Sequence, residues 1–323
     1  MRAMRSGAVP ARWAAPERGK GGLLLLPLLG ALALLFLLPE PAWAFGPATH
    51  AFLSQQILET LWLLPGALGD LIRAYPQSFI YGSIAADISL AKKYVPAGRH
   101  CHYWHVGEEI YSAADNERMQ AVALGYLTHL AADTIAHNYF VPRRLLLTSS
   151  TKALGHSYWE HRLDAHLGEK YAHLARSVVL DHDHTEADTL FDRVLSGTIF
   201  SFETNRRIFR GMIQVQDSER WKMVFDQVVQ RSRWDLSDED AETYLSYAFD
   251  SVIDYLLRRQ ASLPAALDPI GDINLHMAKK VRRMALREGA WRQPERLIAL
   301  ANDFFPLPTE DLGYWRQRGE VQS

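Results

Sequence analysis

The sequence predicts an all-α fold, a multi-helix bundle. Apolar residues recur at three- and four-residue spacing through most of the chain, most clearly in AVALGYLTHLAADTIAHNYFV from Ala121 to Val141. No segment alternates β-branched and polar residues between turn signals, so no strand is expected. The breaks between periodic segments are short and marked by Pro or Gly, as helix-to-helix connections are.

The 323-residue chain opens with Arg2, Arg5, Arg12, Arg18 and Lys20, continues as GGLLLLPLLGALALLFLLP, and reaches Ala42-Trp43-Ala44. A charged segment, an apolar run and a small-x-small site read as a secretory signal peptide over 1–44. The alternative is an uncleaved anchor, because the run is near the lower length that spans a bilayer. Cleavage after Ala44 makes Phe45 the new N-terminus. It removes five basic and two acidic side chains, leaving 30 Lys and Arg against 35 Asp and Glu, a net of −5. That balance argues against a nucleic-acid-coating protein. The expectation is an exported protein, periplasmic or secreted, with no transmembrane segment in its mature chain. Cys101 is the only cysteine, so no intramolecular disulfide can form and packing, aided by metal, must hold the fold.

HAFLSQQILETLWL, residues 50–63, has helical spacing and stops at Pro65. A short helix is expected from Leu68 to Tyr75, ended by Pro76, followed by QSFIYGSIAADISL, apolar except for Asp87. A basic loop from Lys92 to Arg99 leads to HCHYWH at 100–105. The central helix is expected to close at Pro142, and GHSYWEHRLDAHLGEKYAHLA from Gly155 reads as one further helix. More helices are expected near 186–196, 200–215, 218–231, 238–262, 272–288 and 294–303. Ser237 with Asp240 three residues on forms a variant capping box. One domain is expected over 45–308, with a loosely held tail over 309–323.

His129, Asp133 and His137 stand four residues apart and share one helical stripe flanked by Leu, Ala, Tyr, Ile and Phe. An ionised carboxylate buried there needs a cation or strong donors. Two imidazoles and a carboxylate in a dry site are first-row metal ligands, zinc by default; a self-satisfied hydrogen-bond ladder is the alternative. His156 and Glu160 repeat the spacing and can chelate one ion, with Asp164 extending the stripe; an exposed helix with a His-Glu pair is the alternative. His161, His166 and His173 fall on other faces and are expected to be solvated. Asp87, among small and apolar residues, is either a helix cap or a ligand. One of His100 and His102 enters the site while the other supports it. His50 becomes the sixth residue of the mature chain, and the α-amine and carbonyl of Phe45 form a five-membered chelate within reach. DHDH at 181–184, with Glu186 and Asp188, has no apolar wall and reads as a solvated loop.

In order, Phe45, His50, Asp87, His102, HxxxD at His129 and Asp133, His137, and HxxxE at His156 and Glu160 resemble the zinc-dependent phospholipase C family and its single-strand nuclease relatives. The resemblance covers about 45 to 165. It implies a helical bundle around about three zinc ions. Asp87, His102, His129 and Asp133 would hold one; His137, His156 and Glu160 a second; Phe45, His50 and a bridging Asp133 the third. Phe45 replaces the family's usual Trp. The three residues between Asp133 and His137 look more like the phospholipase D that cleaves glycosylphosphatidylinositol anchors, as does Thr49-His50. The implied activity is an exported zinc-dependent phosphodiesterase acting on phospholipid at a membrane surface, with no nucleic-acid partner. Asp87 would orient or deprotonate the attacking water, and Tyr81, Tyr103 and Trp104 are candidates for a head-group pocket. Phospholipase D-like cleavage, a nuclease on this scaffold and a non-enzymatic metal-stabilised protein are the competing readings. Glu160 where the nucleases have Asp, and the single cysteine, weigh against the nuclease.

Overall fold

The computed structural model describes residues 45–147, 153–232, 234–289 and 293–320. The expected signal peptide over 1–44 and the last three residues of the expected tail lie outside them. Among the described residues every regular element is helical, the class the periodicity predicts.

Helix α1 (Pro47–Glu59) opens with proline at its first position, where the missing N–H is no loss. Helices α2 (Gly66–Ala74) and α3 (Pro76–Ala85) follow, and α3 runs into a 3₁₀ turn, Ala86–Ile88, that bears Asp87. After α4 (Trp104–Ala113) comes the central α5 (Glu117–Ile135), capped by Asn116, whose side chain accepts the Met119 N–H at 2.9 Å. Every residue from Ala121 to Ile135 is buried, so α5 is enclosed on all sides.

Helices α3 and α5 are in backbone contact. A Cβ on Gly82 would lie 1.9 Å from the Val122 carbonyl oxygen, and one on Gly125 1.9 Å from that of Phe79. Only glycine permits this approach. It brings the C-terminal end of α3, and so Asp87, against the middle of α5.

The central helix does not close at Pro142. It continues through a π-helical turn, Ala136–Phe140, into α6 (Val141–Leu147), where Pro142 occupies an early position that tolerates proline. The helix expected from Gly155 onward is two, α7 (Ala153–Leu167) and α8 (Glu169–Asp181), separated at Gly168, whose φ of +82° ends the first. The remaining helices are α9 (Thr185–Val194), α10 (Phe202–Gln216), α11 (Glu219–Arg231), α12 (Asp238–Arg258), α13 (Asp272–Arg287), α14 (Pro294–Phe304) and α15 (Tyr314–Glu320). Ser237 caps α12 as its sequence predicts, accepting the Asp240 N–H at 3.1 Å. Helix α12 covers α5 from another side, while α1 packs on α3, α7 and α8.

The tail, expected to be loosely held, is docked over its described part. The Gly313 and Trp315 N–H groups donate to Asp250 at 3.0 and 2.6 Å, and the Trp315 ring sits edge-on to Phe249 at 5.6 Å. No helix among the described residues is long and apolar enough to cross a membrane.

Candidate metal centre

Four separate segments aim imidazoles and carboxylates at one point beside α5. His129 and Asp133 sit one turn apart on its regular part, while His137 falls in the π turn, a distortion that re-aims side chains and recurs at functional sites. The 3₁₀ turn after α3 supplies Asp87, and the loop before α4 supplies His102. Helix α1 supplies His50, and α7 supplies His156 and Glu160. All eight side chains are buried.

Backbone carbonyls fix the imidazoles. His129 Nδ1 lies 2.8 Å from the Ser83 carbonyl oxygen and His137 Nδ1 2.5 Å from that of Pro269. A carbonyl only accepts, so the proton sits on Nδ1 in both rings and Nε2 keeps a bare lone pair. This is the arrangement by which proteins present histidine to a metal.

The Nε2 atoms converge. His129 Nε2 is 2.9 Å from His102 Nε2, and both are 3.2 Å from Asp133 Oδ2. Asp87 Oδ1 is 3.3 Å from His102 Nε2, and His50 Nε2 is 3.4 Å from Asp133 Oδ1. The His50 ring stacks on that of His129 at 3.8 Å. Donor atoms of His102, His129 and Asp133, and separately those of His50, Asp87 and His129, all lie within 4.8 Å of one another. His156 Nε2 meets Glu160 Oε1 at 3.0 Å, and its ring is 5.4 Å from that of His137.

Burial lowers the proton affinity of two of the rings, while contacts with Asp133 and Asp87 raise that of His102 against its burial. Burial pushes His50 down to about 4, with neighbouring His129 adding to the effect, and His137 down to about 3. For Asp87 burial acts upward, but Lys92, then His129 and His102, more than offset it and hold the carboxyl below its ordinary range. Asp133 is likewise held low, because His129, His102 and His50 outweigh its burial. Burial raises Glu160 to about 7 against the opposing pull of His156.

Both Asp133 oxygens, both His50 nitrogens, His137 Nε2, His156 Nε2 and Glu160 Oε1 are buried with no aligned hydrogen-bond partner. Leaving so many acceptors unsatisfied costs several kcal/mol or more. His102 Nε2 and His129 Nε2, 2.9 Å apart and each 3.2 Å from Asp133, are placed to share a cation. The donor set therefore fits a metal of nitrogen and oxygen preference, zinc in particular.

The two histidines of the 100–102 pair point differently. His102 faces the acids. His100 uses its Nδ1 to accept the His102 N–H at 3.1 Å, although its donor atom also lies within 4.8 Å of those of Cys101 and His102. The Phe45 side chain is buried, its ring 5.9 Å from Phe140 and 6.2 Å from His50.

Asp164 is no member of the stripe. It reaches from α7 to the start of α1, accepting the Ala48 and Thr49 N–H groups at 3.2 and 2.9 Å and the Thr49 hydroxyl at 2.6 Å. Asp188, expected to be solvated, is buried and accepts from Arg206 at 2.7 Å and from the Tyr81 hydroxyl. Tyr81 stacks on a buried His184 at 3.5 Å, so neither ring is free for a head group or solvent, while the other three residues of DHDH are exposed as expected. Trp104 stacks on Tyr255 at 4.5 Å and donates to the Leu267 carbonyl at 2.9 Å. His161, expected on a solvated face, is half-buried with Trp221 and Phe225 edge-on at 5.5 and 5.6 Å.

One residue of the site escapes the sequence reading. Lys92, placed there at the head of a basic loop, is buried with its ammonium 2.6 Å from Asp87 Oδ1 and 3.4 Å from His102 Nδ1. The one cue was its place directly after an apolar run, five residues past Asp87.

A family model described as zinc-dependent phospholipase C matches residues 49–202. Over that segment the chain is similar to the zinc-dependent phospholipase C family. The matched segment contains His50, Asp87, His102, His129, Asp133, His137, His156 and Glu160, the set that converges in space. No curated protein and no solved structure matches the chain. That similarity points to a zinc-dependent hydrolase acting on phosphodiester bonds of phospholipids, and the His and Asp clusters are compatible with zinc.

Proposed function

We propose that the chain, exported and cut before Phe45, is a phospholipase C that hydrolyses a phospholipid at a membrane surface between the glycerol oxygen and phosphorus. The observation that carries this reading is the convergence of buried acceptors with no aligned partner from α1, α5 and α7, within a segment similar to the zinc-dependent phospholipase C family.

About three zinc ions would be held. Asp87, His102, His129 and Asp133 form one donor set; His137, His156 and Glu160 form a second; His50, Asp133 and the amine and carbonyl of Phe45 form the third. When bound, zinc polarises phosphoryl oxygens and lowers the pKa of coordinated water towards neutrality. The chain's own residues do the rest. Ser83 and Pro269 hold His129 and His137 in one tautomer. Asp87, held below the ordinary carboxylate range, stays ionised at neutral pH and accepts a hydrogen bond from the attacking water, aligning it with phosphorus. Asp164 fixes the start of α1, and so the seats of Phe45 and His50.

The test is incubation of the chain from Phe45 onward with phosphatidylcholine vesicles, with chelator and after zinc is restored. Release of phosphocholine and diacylglycerol that chelator abolishes and zinc restores is expected. Release of free choline and phosphatidate would instead make the enzyme a phospholipase D. Cleavage of single-stranded DNA with lipid untouched would overturn the reading.

A further inference from the structure

We propose that Lys92 is a positioning residue, whose buried ammonium fixes the Asp87 carboxylate in the orientation the donor set uses. A lysine is seldom fully buried unless paired, and burying one beside a metal-ligand set needs a reason. The pairing is tight: Nζ lies 2.6 Å from Asp87 Oδ1, and both groups are buried. Nζ is also 3.4 and 3.5 Å from the two nitrogens of the His102 ring, nearly equidistant, so the ammonium lies against the ring's face rather than in its plane. It therefore leaves the in-plane Nε2 lone pair aimed at His129 and Asp133.

A second, independent observation is the backbone just before Lys92. Ala91 has φ 55° and ψ 41°, left-handed for a residue that is not glycine. Such a conformation is strained for a residue with a side chain and persists where the surroundings over-determine it. Here it begins the 3₁₀ turn Lys92–Tyr94 and sends the lysine inward instead of along the surface with the rest of the basic loop. Asp87 sits on its own 3₁₀ turn five residues earlier, at the end of α3, without a side-chain cap of its own. Oδ1, held by Lys92, also lies 3.3 Å from His102 Nε2, and Oδ2 is 3.9 Å from His129 Nε2, so the ammonium sets how the Asp87 carboxylate is turned towards the centre.

The test is a two-residue cycle with Lys92→Met, Asp87→Asn and the double variant. Its first arm needs no bound metal. In chelator-treated protein, Lys92→Met leaves an ionised Asp87 buried without its partner, and the thermal midpoint is expected to fall by about 5–10 °C. The double variant, with a neutral Asn, is expected to recover more than half of that loss. If Lys92→Met does not fold, recovery of folding in the double variant reads the same pairing.

The second arm rests on the proposed function and uses zinc-loaded protein on phosphatidylcholine. Lys92→Met is expected to lower kcat by about 10–100-fold, the range for a misplaced catalytic group, with KM changed much less. The double variant is expected to be no slower than Asp87→Asn alone, and Lys92→Arg to restore part of kcat. Equal midpoints for Lys92→Met and parent, a double variant that melts lower still or also fails to fold, or kcat losses that multiply would each overturn the proposal. If the unaltered chain hydrolyses no phospholipid, the functional reading fails, while the stability cycle still decides whether Lys92 holds Asp87.

Discussion

Asp164 offers the sharpest way to disturb the centre without touching a ligand. Its carboxylate takes the Ala48 N–H, shares the Thr49 N–H with the Gly46 carbonyl, and accepts the Thr49 hydroxyl. Asp164→Ala removes a capping interaction worth about 1 kcal/mol and leaves buried donors unpaired at a further 1–3 kcal/mol or so, about 2–4 kcal/mol together. For a chain of this size that is a fall in melting temperature of about 5–10 °C. The size depends on pH in a definite direction. Burial raises the Asp164 carboxyl to about 6, against an ordinary value of 3.8. The folded chain thus holds this proton more tightly than the unfolded one, and the contribution of Asp164 is greatest at low pH and declines as pH rises through 6. The loss on Asp164→Ala should be larger at pH 5 than at pH 8. Gly46→Ala should reproduce it, because the new Cβ would lie 2.0 Å from Asp164 Oδ2 and force the carboxylate out. Thermal unfolding followed by circular dichroism at the two pH values, with zinc per chain measured at neutral pH, is the assay. A variant that melts within about 1 °C of the parent and keeps its zinc would refute the role given to Asp164.

Glu160→Ala should remove the ion shared with His137 and His156 and most of the hydrolytic rate, measured by elemental analysis and lipid turnover; full zinc content would mean the set is misassigned. A chain with one extra residue before Phe45 moves the α-amine by about 3.5 Å, too far for a bond near 2 Å. It should match His50→Ala in lost zinc and reduced turnover, and full rate in the extended chain would remove the amine from the site. Burial pushes His161 down to about 4, so the folded chain keeps it neutral while an unfolded chain protonates it from about 6.5 downward. Its stabilising contribution is complete above 6.5 and lost as pH falls through 4. The stability advantage of the parent over His161→Phe should shrink across that interval, and an advantage that grows towards acid would contradict the burial argument.

The candidate donors were legible because each is a polar residue in an apolar helical stretch, and burying such a group demands a partner. Spacing alone pairs His129 with Asp133 and His156 with Glu160 on one face each. What spacing could not reveal is long-range or depends on backbone detail. The π turn that seats His137 has no sequence signature here, and the left-handed Ala91 that turns Lys92 inward looks like any alanine before a basic loop. Asp164 continues the HxxxE stripe on paper but serves a helix more than a hundred residues earlier. Asp188 and His184 looked solvated because their neighbours are polar, whereas Tyr81 and Arg206 that enclose them come from distant segments. The tail gave no periodic signal, yet Asp250 and Phe249 hold it.

Diffraction recorded on both sides of the zinc absorption edge, from crystals of the chain beginning at Phe45 and grown without chelator, bears most directly on the centre. Anomalous peaks are expected among His102, His129 and Asp133 and beside His156 and Glu160. No peak in that cluster, or a peak at Asp181 to His184 in its place, would contradict a zinc centre built on α1, α5 and α7.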